Sequence, residues 1–452
     1  QAMRRHIVML GATPRTQRSH SSVQLPADFS STQSSVPIFV YSTDDFIFDL
    51  RKKSEKKRGN DKSLSEFISD RWEDARKKNA LNYNLNCMYK YLDGPYNLTI
   101  QLNAERGELR RKPMRFRKIR EPFNSVRWNF TRLHDDEVLL YLRCEDSPIT
   151  NDPLDRHVLA VNASPLERNH SLLIPSVNKC LPQVLSRVSL RLATDVMLLH
   201  SNQNEHILFN SLLGQASVNH LHLHSLPWPY DSELIFRRCE PLTGVDGVYT
   251  IRPPTWVTQA FVFQLKGKDQ YETFINQLTK CIDLLLLHEQ AHNLFFARSS
   301  PIRINGDERW EDKDGDEPLL LTAYVFPRMN MMGPKPPTNF NPAANELAGC
   351  LTAYTYKFFD SVTEQTALRI ITEEAQLPEH VFESLCSDLS EELLGRSPSI
   401  RRILPSFEGL TSPEMDELRD SFSSFDPPSP SRVIRRRSAG QSSLQIPEIV
   451  FT

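Results

Sequence analysis

Residues 218–226 read VNHLHLHSL, which sets His220, His222 and His224 on alternate positions of one short apolar run. The whole chain of 452 residues holds only 13 histidines. A second stretch competes: residues 284–292 read LLLLHEQAH and contain the HExxH spelling of zinc proteases. If 218–226 is a strand, alternate side chains point the same way. Val218, His220, His222 and His224 then share a face, with Leu221 and Leu223 turned toward a core. A single histidine on such a face is usually satisfied structure, whereas three at a spacing of two line a site. They suit either a zinc ion or a nucleophilic histidine held by its neighbours.

The residues just upstream favour the nucleophile. Asn210, Gly214, Gln215 and Ser217 put small, amide and hydroxyl groups directly before the histidines. Backbone N–H groups and hydroxyls in such a stretch can hold an anion. Phosphate is the anion this chemistry suits. Neutral imidazole attacks phosphorus without the repulsion a carboxylate would meet, and the phosphoramidate formed passes its group on.

HEQAH lacks the context of a zinc site. The position after Glu289 is Gln290, where zinc proteases usually carry an apolar residue. The helical pattern ends there, passing into the strand-like NLFFARS, and no third ligand is spelled nearby. The stretch is expected to be a helix-to-strand corner, and neither a metal nor a cofactor is expected.

Apolar residues make up 39% of the chain and the net charge is −2, so no global charge points to nucleic acid or a membrane surface. No run approaches the 18 or so apolar residues of a membrane span. Seven scattered cysteines, none in a CxxC pair, fit a reducing, cytoplasmic home better than a disulfide framework. Residues 1–40 read as a disordered tail, with a mitochondrial-type leader as the alternative; 41–96 as a charged and helical lead-in; 396–452 as a second disordered tail. Within the lead-in, Ser63 caps a helix with Leu64, Phe67, Ile68 and Trp72 at helical spacing. RRRS at 435–438 fits a basophilic kinase substrate and so a kinase or phospho-binding partner. Between the tails the pattern strand–helix–strand–strand occurs twice, near 157–226 and near 260–330. An amphipathic helix is expected over 179–200 and a longer one over 269–290. This predicts an α+β protein of two related halves, 97–230 and 231–395.

The segment from Asn210 to His224 resembles the histidine-triad superfamily. Its pattern is Asn, then Gly-Gln-Ser, then His-φ-His-φ-His or His-φ-His-φ-Gln. A second match lies upstream, where the family's first hairpin reads Asp-x-x-Pro followed by His-x-Leu-x-Ile-Pro. Here it is Asn162-Ala-Ser-Pro165, then His170-Ser-Leu-Leu-Ile-Pro175. Asn162 stands where the hydrolases have the Asp that meets the ribose. Residues 101–116, 121–130, 161–175 and 214–224 together resemble the GDP-hexose phosphorylases of the nucleotidyltransferase branch, and the likeness spans roughly 80–390. Plant members have Gln as the last triad residue; His224 is closer to the animal GDP-D-glucose phosphorylases.

The resemblance implies two histidine-triad-like halves with mainly antiparallel sheets and packed helices. It also implies a ping-pong reaction on GDP-hexose and inorganic phosphate. His222 would attack the α-phosphorus, His220 would orient it, and His224 would sit near the phosphate or leaving oxygen. Asn210, Gln215 and Ser217 would hold phosphate oxygens, and Arg115 or Arg117 would meet phosphate from the basic run 106–121. YVFPRM (324–329) would occupy the place of the triad strand in the second half, with Arg328 able to reach the site. A hydrolase, favoured by the third histidine, and a degenerate nucleotide-binding module are the alternatives.

Overall fold

The short apolar runs of the sequence pair into an eleven-stranded sheet. The computed structural model describes residues 8–9, 36–52, 62–146, 156–304, 317–331 and 339–396. Nearly all of the expected N-terminal tail, the C-terminal tail and its RRRS therefore lie outside the described residues.

The strands Val138–Cys144, His157–Val161, Ser171–Ile174, Leu223–Pro227 and Glu205–Asn210 stand side by side in that order. Then come His292–Ser299, Leu320–Pro327, Ala260–Leu265 and Val248–Ile251. Every neighbouring pair in this series is antiparallel. The same unit occurs twice. Two strands, a helix and two more strands follow in sequence, and the last strand inserts beside the second. The helices are Arg187–Leu199 in the first unit and Tyr271–Leu287 in the second, each packed on the sheet through an apolar face. Pairing of Ile207–Asn210 with Phe296–Asn293 joins the units into one sheet.

Two expected boundaries move. Residues 180–186 are not helical, because Pro182 cannot supply the N–H a helix interior needs; Ser186 caps the helix instead, through a capping box with Ser189. The stretch VNHLHLHSL is extended strand only from Leu223 onward. HEQAH is the helix-to-strand corner expected: the helix stops at Leu287, Glu289 has φ +49°, and His292 opens the next strand.

A second sheet pairs Asn86–Tyr91 with Thr99–Leu102, and Thr99–Leu102 runs parallel to Cys350–Ala353. That pairing draws the end of the second unit back over the first. It carries with it the short helix Ala344–Leu347, which packs on the strands Glu205–Asn210 and His292–Ser299. The helix Leu64–Lys77 has the expected Ser63 capping box and buries Leu64, Ile68 and Trp72. Further helices, Glu364–Glu374 and Glu379–Leu393, follow. No helix among the described residues is long and apolar enough to cross a membrane.

Candidate active site

The loop from Ser211 to Leu221 folds tightly before the last strand of the first unit. The N–H groups of Gly214 and Ala216 both donate to the Ser211 carbonyl, at 2.9 and 3.0 Å. A side chain at Gly214 would meet the His292 carbonyl oxygen at 2.9 Å, so only glycine fits this turn. Gln215 follows with φ +80°. This fold lays Gln215, Ser217 and Val218 along a cavity of about 750 Å³, which His222, His224, Asn210 and Asn162 also line.

His222 is buried and its orientation is fixed. Its Nδ1 lies 2.8 Å from the His220 carbonyl oxygen and 2.9 Å from Gln183 Oε1. A carbonyl only accepts, so Nδ1 carries the proton and Nε2 keeps its lone pair. Gln183 also accepts from the His222 N–H and donates to the carbonyls of His222 and Asn210. Burial pushes His222 down to about 4, with a smaller contribution from the nearby Arg111 charge, so the ring is neutral near pH 7.

His220 does not line the cavity. Its side chain turns behind the site, where Nδ1 accepts from the Phe130 N–H at 3.1 Å. Its backbone carbonyl is what meets His222. The expected single face therefore holds His222, His224 and Val218, while the His220 side chain leaves it.

His224 completes a relay of rings. The Leu166 N–H donates to His170 Nδ1, so His170 carries its proton on Nε2 and donates to His224 Nδ1, 3.0 Å away. His224 then bears its own proton on Nε2. Burial, then the His222 and Arg106 charges, hold His224 well below the ordinary imidazole range. It is a neutral hydrogen-bond donor. Asn162 sits beside this relay, its Nδ2 3.1 Å from His170 Nε2 and its Oδ1 accepting from the Ser164 N–H.

Asn210 accepts twice through Oδ1, from Asn293 Nδ2 at 2.6 Å and from the Ala344 N–H at 3.0 Å. These bonds fix the amide and leave Nδ2 as its donor. Gln215 Nε2 contacts the sulfur of Met331 at the cavity wall.

Arg115 is exposed and does not line the cavity; neither does Arg117. From the same basic run, Arg106, Arg110, Arg111 and Lys112 do. The Arg111 guanidinium lies 3.8 Å over the Trp128 ring. Among the described residues it makes no hydrogen bond or ion pair, and the protein around it lowers it to about 10. Arg328 braces the site from outside. It donates to the carbonyls of Pro342 and Glu374 and lies 3.4 Å from Asn293 Oδ1, which positions Asn210 in turn. Sequence reasoning missed Gln183, Arg111 and His170 as site residues, along with Asn345 and Glu346 on the cavity wall. Burial raises the Glu346 carboxyl to about 7.

The arrangement can do nucleophilic chemistry. A neutral imidazole with its lone pair in a polar cavity is flanked by amide, hydroxyl and guanidinium donors, which suits attack on a phosphate ester.

Residues 63–226 match the family described as GDPGP1-like, N-terminal domain, and residues 243–395 the GDPGP1-like, C-terminal domain. The chain is 59% identical over 447 residues to GDP-D-glucose phosphorylase 1 of Caenorhabditis elegans, covering 96% of this chain and 92% of that one. It is 30% identical to GDP-D-glucose phosphorylase 1 of Homo sapiens, over 84% and 99% of the two chains. GDP-L-galactose phosphorylase 1 of Arabidopsis thaliana is 25% identical, over 74% and 76%. Among solved structures, yeast Ap4A phosphorylase Apa2 in complex with Ap4A is similar at a TM-score of 0.44 and 16% identity. The match covers 70% of this chain and 97% of that one.

Proposed function

The chain belongs to the GDPGP1-like family, and from that membership and the cavity we infer that it is a GDP-D-glucose phosphorylase. His222 Nε2 attacks the α-phosphorus of GDP-glucose. An N–P bond forms, the bond from that phosphorus to the bridging oxygen breaks, and glucose 1-phosphate leaves. Inorganic phosphate then attacks the guanylyl group, the N–P bond breaks, and GDP is released. The observation that carries this reading is the pairing of His222 Nδ1 with the His220 carbonyl, which turns an unprotonated Nε2 to the reaction.

Each neighbour has a role. Asn210 Nδ2, Gln215 and Ser217 hold phosphate oxygens as charge builds on them. Arg111, with no hydrogen-bond or ion-pair partner among the described residues, meets the same oxygens as a cation; it takes the role expected of Arg115. His224 donates through Nε2 to a phosphate or leaving oxygen. Asn162 lies toward the ribose. None of these steps needs a metal or cofactor. The half 97–230 supplies the nucleophile and the half 231–395 closes the cavity, with 41–96 as a lead-in. The free thiols of Cys87, Cys144, Cys180, Cys239, Cys281, Cys350 and Cys386 support a cytoplasmic location.

The test is product identification. With GDP-glucose and phosphate the expected products are GDP and glucose 1-phosphate. GMP and glucose 1-phosphate, formed without need of phosphate, would make the protein a hydrolase. Binding without turnover would make it a nucleotide-binding module.

A further inference from the structure

The cavity has two chemically distinct ends, and the strand order puts the triad between them. His224 faces Leu172 on one neighbouring strand and Leu208 on the other. On the Leu172 side the wall carries aromatic and apolar groups, Phe130, whose ring centre is 4.9 Å from that of His222, with Trp128 and Leu133, and the Arg111 guanidinium over Trp128. On the Leu208 side the helix Ala344–Leu347 lies over Glu205–Asn210 and His292–Ser299, tied to Asn210 by the Ala344 N–H. Asn345 and Glu346 of that helix line the cavity there.

This second end holds a buried acceptor short of a donor. Asn345 is 3% exposed; its Nδ2 donates to the Cys350 carbonyl at 2.8 Å, and its Oδ1 has no hydrogen-bond partner among the described residues. A buried acceptor left unpaired is rare in folded proteins and points to a missing donor. Glu346, 5% exposed, accepts from the Ala343 N–H through Oε2 at 3.2 Å. An unpaired amide oxygen beside a largely buried carboxyl suits hydroxyl donors. Vicinal hydroxyls of a pyranose are such donors. A guanine edge is another source of two donors, but the flat apolar surfaces a base stacks on are at the opposite end, around Trp128 and Phe130.

We infer that Asn345 and Glu346 bind the hydroxyls of the hexose and set which GDP-hexose reacts, an assignment that rests on the guanylyl-transfer reading above. The nucleoside then occupies the Phe130 end, the two phosphates pass His222 and His224, and the sugar reaches across Asn210 to the Ala344–Leu347 helix.

The reaction itself offers the control. The enzyme can be guanylylated by GDP-glucose, releasing glucose 1-phosphate, or by GDP, releasing phosphate; only the first substrate carries a hexose. Single-turnover guanylylation by each is measured for wild type, Glu346→Gln and Glu346→Asp. The expected result is a fall of about 100-fold in the GDP-glucose rate relative to the GDP rate in Glu346→Gln, the scale of a lost buried hydroxyl contact. Glu346→Asp, which keeps the carboxyl and shifts its reach, lowers the same ratio by less. Discrimination among GDP-hexoses differing at one hydroxyl narrows in both variants. Equal losses with GDP and GDP-glucose would overturn the assignment, since guanine contact or misfolding would produce them; so would an unchanged ratio. Failure of wild type to be guanylylated by either substrate would instead contradict the guanylyl-transfer reading.

Discussion

Gln183 Oε1 stands 2.9 Å from both the backbone nitrogen and Nδ1 of His222, so one amide oxygen holds the peptide and the ring of the same residue. The amide is neutral, and that matters. It fixes the proton on Nδ1 without stabilising an imidazolium. Gln183→Glu keeps the acceptor but places a carboxylate beside a ring now held at about 4 by burial. An opposite charge favours the protonated ring, so its pKa rises. The acid limb of the guanylylation rate is expected to move up toward neutral pH, with a loss at pH 7 of about 10-fold or more. A pH–rate profile checks this; a limb that stays put while the rate falls would mean Gln183 is only structural.

Arg111→Met removes a guanidinium that stands over Trp128 without another partner among the described residues. The expected cost is about 10²- to 10³-fold in kcat, the range for losing one donor to developing oxyanion charge. Arg115→Met, outside the cavity, is expected to change kcat by less than about 2-fold, the small effect usual for a surface site away from the chemistry. Steady-state kinetics of both variants test the assignment, and the reverse ranking would return the phosphate contact to Arg115.

His224 is held neutral and presents an Nε2 donor, a task a glutamine amide also performs. His224→Gln is expected to keep phosphorolysis within about 10-fold. With its Nε2 protonated and its Nδ1 engaged by His170, His224 offers stray water no base, so GMP and GDP are expected to fall in proportion at low phosphate. A fall in the GMP-to-GDP product ratio would show instead that His224 activates water.

Acid should destabilise the fold through its histidines. His200, His206 and His220 are lowered to about 3, His222 and His292 to about 4, and His170 and His224 well below 6.5, each chiefly by burial. The unfolded chain takes up these protons below about pH 6.5 while the folded chain refuses them until about 3 to 4, so stability falls as pH drops through that window. Asp195, raised to about 6, Glu205 and Glu346, raised to about 7, and Glu167 and Asp231, raised chiefly by burial, act in the opposite sense: they take up protons in the folded state first. Seven groups against five leave a net loss. Thermal denaturation from pH 7 to 5 is expected to lower Tm on the order of 10 °C. A flat or rising Tm would contradict the burial assigned to these rings.

What the sequence spelled locally survives in three dimensions. His222, Asn210, Gln215 and Ser217 lie within one loop and its flanking strands, so their meeting depends on local geometry. Gln183 was illegible because its stretch was read as helix, and its contact with His222 crosses 39 residues. Asn345 and Glu346 reach the cavity only because Cys350–Ala353 pairs with Thr99–Leu102, a parallel pairing no local pattern announces. The basic run has no regular structure after Leu109, so nothing in its spacing could show that Arg111 lines the cavity and Arg115 does not. In HEQAH the chain reverses at Glu289, with φ +49°, and the two histidines never share a helix face.

As the nucleophile, His222 becomes covalently guanylylated. Wild-type protein incubated with GDP-glucose in the absence of phosphate is digested and mapped by mass spectrometry. A guanylyl group is expected on the peptide containing His222, localised to that ring, released as GDP when phosphate is added, and absent from a folded His222→Ala variant. An adduct on another residue, or full turnover by His222→Ala, would contradict it.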